Sequence, residues 1–263
     1  MLNVFWKTLQ DKRAFLLSWS VGLGLIGFLM IIFYPAFHQN DALAQLVNNL
    51  PPALKGIVGD LNNLKELSSY IGSQLFEIRI PILVSVFAII LSISLSVAEE
   101  EKGQLRTLVA LPVSRTSTVL AKWGAVLVVC AVVTLGTLAG VRLGLISIND
   151  HLGWQVFLRL GIMMWLVAVC LATIVLSVGL ATGRRGITMV IGVVVAVGSF
   201  ILTTFSASVD WLRSYEKLSV LHYFQAVTVA KSHIELRDIF VFLAITAFFL
   251  LMGIFFFRRR DIQ

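Results

Sequence analysis

The chain has 263 residues, of which 58% are hydrophobic and 13% are charged, and its formal net charge is +7. Soluble globular domains carry about 25% charged residues. This composition therefore excludes a soluble domain and indicates an integral membrane protein. Outside the apolar runs no basic stripe with interleaved aromatic residues occurs, so the positive charge does not predict nucleic-acid binding.

Residues 1–13 predict an interfacial helix before the first apolar run. Leu2, Phe5, Trp6 and Leu9 share one helical face, and the polar side chains of this segment lie elsewhere. An amphipathic pattern that contains a tryptophan is typical of a helix lying in the plane of the membrane surface.

Six apolar runs are long enough to cross a hydrocarbon core, which needs about 20 residues per helix. They predict an all-α integral membrane fold, one transmembrane domain over residues 1–263. The predicted spans are 14–33, 81–98, 119–141, 158–180, 187–205 and 239–257.

The distribution of Lys and Arg predicts the orientation of these spans. Basic residues are denser in the segments on the N-terminal side than in those opposite, and basic loops stay in the cytoplasm. Both termini and the connection at 99–115 are therefore predicted to be cytoplasmic, in a multi-pass protein of the cell inner membrane. The longer segments 34–80 and 206–238 are predicted outside, and within the second, residues 211–238 are predicted to form a re-entrant or interfacial hairpin.

The most polar connection, residues 99–115, predicts a short amphipathic helix. Glu99, Glu100 and Glu101 end the second run, and Gly103 gives the backbone freedom for a turn. Further on, Leu105, Leu108 and Val109 form an apolar face, Leu111 follows, and Pro112 ends the helix before Arg115. The alternative is a solvated hairpin between two spans.

Small residues recur four positions apart within the runs, a spacing that lets helix backbones approach closely. These residues predict helix packing, and they are Ser92, Ser96, Gly136, Gly140, Gly144, Gly179 and Gly183. Cys130 and Cys170 lie mid-run and are interpreted as packing residues.

The predicted spans contain no Asp or Glu, and Lys122 and Arg159, near span ends, are expected to extend to the interface. An ion-coupled carrier normally needs an ionisable residue at membrane depth. The chain also lacks the phosphate-binding pattern G-x-x-x-x-G-K-[ST] and any recognisable nucleophile or zinc motif. We therefore expect no catalytic, cofactor-binding or metal-binding residues on this chain.

The connection resembles the signature of type-2 ATP-binding-cassette (ABC) transporter permeases. The resemblance rests on the string EEEKGQLRTLVALPVSR, on Lys122 seven residues later, on Leu50-Pro51-Pro52-Ala53-Leu54 and on the ending Phe257 to Ile262. The chain departs from the family where Gln104 and Arg106 to Val109 replace a more acidic leucine-rich stretch, which adds a positive charge.

The resemblance implies the permease subunit of a bacterial or archaeal ABC exporter. Two permeases would form a homo- or heterodimer around the translocation path, and two separate ATPase subunits would bind ATP and Mg. Leu105, Leu108, Val109 and Leu111 would form the coupling helix, and Glu99, Glu100 and Glu101 the elbow that moves the second span. The alternative is a non-transporting membrane scaffold that recruits a soluble partner through residues 99–115.

Overall fold

Every regular element in the described part of the chain is helical. The structure, a computed structural model, describes residues 2–38, 67–101, 103, 114–206, 209–231 and 233–260. Helix α1 (Leu2–Asp11) is followed by six helices long and apolar enough to cross a membrane, which confirms the predicted number. The six are α2 (Arg13–His38), α3 (Leu67–Glu101), α4 (Arg115–Ser147), α5 (Trp154–Thr182), α6 (Arg185–Phe205) and α9 (Leu236–Arg259).

Helix α3 differs most from its predicted span. It begins at Leu67 and contains a nine-residue π-helix, Ile71–Arg79, before a regular helix opens with Pro81 in its first turn. The polar residues of the π-helix lower its hydropathy, so the apolar pattern starts only after it. Gly72 nevertheless holds this part in the bundle, since a Cβ there would lie 3.0 Å from the Val227 Cα. Because α3 is longer than the predicted span 81–98, the helix also includes Glu77 and Glu99 to Glu101.

Helix α5 forms the centre of the bundle. In its most apolar window 89% of the residues are buried, against 17% for both α6 and α9. Two indoles tie it to α4: Trp123 Nε1 donates to Thr173 Oγ1 at 3.0 Å, and Trp165 Nε1 donates to the Leu127 carbonyl at 3.0 Å. Cys130 and Cys170 are both buried in this core. α5 is thus the frame against which α3, α4, α6 and α9 pack.

Glycines on α4 allow α2 to pack closely against a second face of α4, apart from its contact with α5. A Cβ at Gly140 would overlap the Gly24 carbonyl, and one at Gly144 would lie 2.7 Å from the Ile31 Cβ. Gly136 lies against Ser20, whose hydroxyl donates to the Val132 carbonyl at 3.3 Å. The three glycines therefore line one continuous helix contact.

Helix α1 packs beside the start of α4. Val4 and Thr8 are buried, and the Phe5 ring lies next to Gly124. Trp6 is 56% exposed and faces away from the bundle. The helix is present where the amphipathic pattern predicts it, and its place in the membrane surface stays a prediction.

The bundle has two ends with different composition. At the first, which we call the terminal end, α1, the end of α3, the start of α4 and the end of α9 meet. At the second, the loop end, short helices cover the ends of the spans: α7 (Asp210–Arg213), two 3-10 turns (Glu216–Leu218 and Leu221–Tyr223) and α8 (Ala226–Lys231). The described part of 206–238 is thus a series of short helices.

Ser219 is the main polar junction of the loop end. Its hydroxyl donates to the Ser199 carbonyl at 2.8 Å and lies 2.7 Å from the Thr203 hydroxyl. It also accepts from the backbone N–H groups of Leu221 and His222. One fully buried side chain thereby fixes the short turns to α6.

Candidate functional site: the ion-pair cluster at the terminal end

Helix α3 is interrupted at Ser96, just before its three consecutive glutamates. Ser96 has φ −112° and ψ −88°, outside the helical region, and the helix resumes over Val97–Glu101. The Ser96 hydroxyl donates to the Ser92 carbonyl at 2.7 Å, and the Ser92 hydroxyl donates to Ala172 of α5 at 2.7 Å. Ser96 lies directly against Gly179, where a side chain would overlap it. The interruption is therefore seated on the central helix, and it aims the glutamates at neighbouring helices.

Glu99 forms a buried ion pair with α4. Its carboxylate lies 2.6 Å from Lys122 Nζ, and the Lys122 side chain has no exposed surface. Lys122 Nζ also donates to the Leu95 carbonyl at 2.5 Å, a group at the end of the first part of α3. The expectation that Lys122 extends to the interface is therefore wrong, because a nearby carboxylate and carbonyl satisfy the ammonium inside the bundle. Removing one partner of such a pair leaves an uncompensated buried charge.

Glu100 is paired with Arg260, which follows the end of α9. The two side chains are in direct contact and both are largely buried. Arg260 also donates to the Leu180 carbonyl of α5 at 3.0 Å. Helix α5 ends just beyond, at Gly183, which has φ +61° and lies against the Arg260 guanidinium. A glycine both permits the left-handed cap and leaves room for the guanidinium.

Glu101 has a more exposed partner, Arg185 at the start of α6. The atoms are 3.5 Å apart, and the side chains are 48% and 63% exposed. Exposed pairs of this kind contribute about 0–1 kcal/mol. The three glutamates thus pair with α4, with the residue after α9 and with α6, and the first two pairs are far more buried than the third.

Two further cations complete the cluster. Arg115 donates to the carbonyls of Phe257, Arg258 and Arg260 at 3.3, 3.2 and 2.5 Å, and it thereby caps the end of α9. Lys12, just before α2, donates to the Ser94 carbonyl of α3 at 3.3 Å. With these bonds, all six spans are linked at the terminal end. Each glutamate of the cluster is bound by a cation, so the arrangement connects helices.

The comparison with known families agrees with this architecture. A family model described as "ABC-2 family transporter protein" matches residues 2–262. The chain belongs to the ABC-2 transporter family. This result confirms the resemblance carried by residues 99–115, and together with the six helices it shows a multi-pass membrane protein. The family is a component of membrane transport and is not itself catalytic. No curated protein matches the chain.

The structure of this ABC-2 protein locates only part of the predicted coupling site. Glu99, Glu100, Glu101 and Arg115 are described, and Gly103 has φ +70°, a conformation that favours glycine. Ser114 caps α4 by accepting from the Ser117 N–H at 3.2 Å. The predicted amphipathic helix, with Leu105, Leu108, Val109, Leu111 and Pro112, lies outside the described residues. The described residues that flank it include Glu101 and Arg115 of the ion-pair cluster.

Sequence reasoning included Arg115 in the predicted site but missed the contacts of Lys12, Arg185 and Arg260. Arg260 counted only as one of several basic residues at the C-terminal end of the chain, and Lys12 and Arg185 were assigned no contact. Among the cations of the ion-pair cluster, only Lys122 has a local sequence signal. It follows Arg115 by seven residues, about two helical turns, so the two side chains lie on the same face of α4. No metal site accompanies the cluster, since His, Cys, Asp and Glu side chains form no group of three or more in the described ranges.

Proposed function

We propose that this chain is the membrane-spanning permease subunit of an ABC exporter and that a separate ATPase subunit drives it. The observation that carries the proposal is the match to the ABC-2 family over residues 2–262, in a chain with six candidate spans. Permeases of this family normally work with an ABC ATPase. ATP and Mg would be held by that partner, in two copies, and a second permease would complete the translocation path.

The ion-pair cluster supports the proposed route of coupling. The segment 104–113 leaves α3 directly after Glu101 and enters α4 at Ser114. Glu99 and Glu100 are held by buried partners on α4 and beyond α9. A displacement of the segment by an ATPase would therefore reach several spans together, as a rigid-body rearrangement requires.

The interruption at Ser96 supports the role of the glutamates as an elbow. The end of α3 joins the rest of the helix through one non-helical residue, so it can rotate without bending a continuous helix. Ser96 also faces a helix surface without a side chain at Gly179. The glutamates would then transmit the movement of residues 104–113 to the part of α3 that precedes Ser96.

The proposed orientation places the terminal end in the cytoplasm, in the cell inner membrane. Lys12, Lys122, Arg115, Arg185 and Arg260 all lie at this end, and the positive-inside rule assigns such an end to the cytoplasm. A cytoplasmic ATPase would dock there. Apolar side chains exposed on α6 and α9 would face lipid or the second permease.

The test uses two carboxylates placed on the apolar face of the segment. We expect Leu105→Asp combined with Leu108→Asp to abolish co-purification of the co-expressed ATPase subunit, because the apolar face would no longer fit an ATPase groove. Thr107→Asp is the matched control, since it adds a carboxylate beside Leu108 on the opposite face. The elution volume of each variant in gel filtration checks that the permease itself remains folded.

Two outcomes would contradict the proposal. If the double variant retained both the ATPase and its ATP turnover in proteoliposomes, the coupling assignment would be wrong. If the wild-type complex formed but never turned over ATP in response to any transported compound, the scaffold alternative would replace the exporter.

A further inference from the structure

A groove of about 580 Å³ opens between α4 and α5 at the loop end. Leu138, Leu152 and Phe157 form its floor, and Arg142, His151 and Trp154 stand around its mouth. Leu138 leans onto Gly161, where a Cβ would lie 2.7 Å from the Leu138 Cδ1. Because Gly161 has no side chain, Leu138 can pack close to α5, and the space above Leu138 stays open.

The groove opens onto an exposed, apolar surface of α4 and α5. Leu135 and Leu158 line it and are 65% and 45% exposed. Trp154, which is 72% exposed, begins α5 at the mouth. Because exposed tryptophans concentrate at the level of lipid headgroups, the mouth lies at the headgroup level and the apolar walls lie beside acyl chains.

Arg142 brings a positive charge to this mouth. It lies five residues before the end of α4, about 7.5 Å along the helix axis at 1.5 Å per residue. Its guanidinium carbon is 6.0 Å from the Phe157 ring centroid. Toward the rest of the described chain the guanidinium has no recorded hydrogen bond or ion pair. The Asp150 carboxylate accepts from the N–H of the adjacent residue His151 at 2.7 Å.

We propose that this groove binds one phospholipid, with its phosphate on Arg142 and an acyl chain against the apolar walls. A guanidinium presents a planar fork of donors that matches phosphate oxygens, and it forms charge-assisted hydrogen bonds that neutral lipids cannot supply. A phospholipid has an anionic phosphate above apolar acyl chains. Its phosphate and chains therefore match the cation at headgroup level and the apolar groove beneath it. This site is independent of the proposed coupling to an ATPase.

The test is native mass spectrometry of the full-length protein, purified in detergent and titrated with phosphatidylglycerol. Diacylglycerol with the same acyl chains is the phosphate-free probe. We expect phosphatidylglycerol to bind wild-type protein about tenfold more tightly than diacylglycerol, since hydrogen bonds to charged groups contribute about 1.5–3 kcal/mol. Arg142→Gln should remove this preference and leave diacylglycerol binding unchanged.

Two variants separate the groove from general surface charge. Arg159→Gln removes another loop-end arginine, one whose Nε donates to the Gln155 carbonyl at 3.2 Å, and should bind phosphatidylglycerol like wild type. Ala139→Trp keeps Arg142 and fills the groove from an exposed position on its wall, so both lipids should lose binding.

Three results would overturn the inference. Equal losses in Arg142→Gln and Arg159→Gln would show nonspecific attraction to charge. Full binding by Ala139→Trp would show that the lipid does not occupy the groove. If Arg142→Gln changed the number of chains per particle while lipid binding stayed intact, Arg142 would belong to a contact with a second copy of the chain.

Discussion

The spans are joined through charged groups at the terminal end and through hydroxyls and aromatic rings at the loop end. Lys122 binds Glu99 at 2.6 Å inside the bundle, and Arg260 bridges Glu100 and the Leu180 carbonyl. At the opposite end, Ser219 ties turns to α6, and Tyr70 lies 4.9 Å from Tyr34, ring to ring, while it donates to Met30 at 3.0 Å.

This difference indicates which helices are held more firmly to one another. An ion pair at short distance is strong and directional, and its loss leaves an unpaired charge, so it keeps its two helices in one relative position. A neutral hydroxyl bond contributes about 1 kcal/mol and can be replaced by water at an open end. We therefore expect the helices to be held together more firmly at the terminal end than at the loop end.

The largest expected effect is on the buried pair of the terminal end. Lys122→Met should lower the free energy of unfolding by about 3–5 kcal/mol, because Glu99 would remain partly buried without its cation. Thermal unfolding in detergent micelles measures the change. Lys7→Met, at an exposed position of α1, is the control and should cost clearly less.

A second variant identifies the cause of that loss. Adding Glu99→Gln to Lys122→Met should recover part of the lost stability, since the unpaired carboxylate disappears. If the single and the double variants were equally unstable, lost side-chain packing would explain the effect and the ion pair would not.

An intermediate effect is expected at the loop end. Ser219→Ala should lower the free energy of unfolding by about 1–3 kcal/mol, because two backbone N–H groups lose their shared acceptor. Co-purification of the ATPase subunit should not change. Ser147→Ala is the control, since its exposed hydroxyl donates only to the Leu143 carbonyl of its own helix. Loss of the ATPase in Ser219→Ala would contradict the division between the two ends.

The smallest effect is expected at the exposed edge of the cluster. Arg185→Gln should change the free energy of unfolding by less than about 1 kcal/mol, because its pair with Glu101 is open to solvent. Chemical unfolding at low and at high salt measures it, and any difference from wild type should shrink at high salt. A loss as large as that of Lys122→Met would show that burial does not rank these pairs.

The number of spans could be predicted from sequence because each one contains an apolar run of bilayer length, as at 158–180 within α5. The start of α3 could not be predicted, since Ser73, Gln74 and Glu77 interrupt the apolar pattern, although Ser73 and Gln74 are buried in the helix. Hydropathy scales measure the free energy of transferring a side chain from water to lipid. Ser73 and Gln74 are instead buried against other parts of the protein.

The acidic half of the candidate site could be predicted, since three adjacent glutamates between apolar runs are conspicuous. Their partners could not, because Glu100 and Arg260 are 160 positions apart and no local pattern links them. The burial of Lys122 was hidden for the same reason: a lysine near a span end normally reaches water, and only the position of α3 shows that it is enclosed.

The pair of Glu99 and Lys122 also bears on how the chain enters the membrane. Lys122 lies seven residues inside α4, and a lone lysine opposes insertion of a helix by up to about 2.5–3.5 kcal/mol. Its carboxylate partner Glu99 lies on the preceding span. The free-energy cost of inserting Lys122 therefore falls once α3 and α4 are present together. We therefore expect α3 and α4 to be integrated into the membrane as one hairpin during synthesis. The ion pair would form as α4 follows α3.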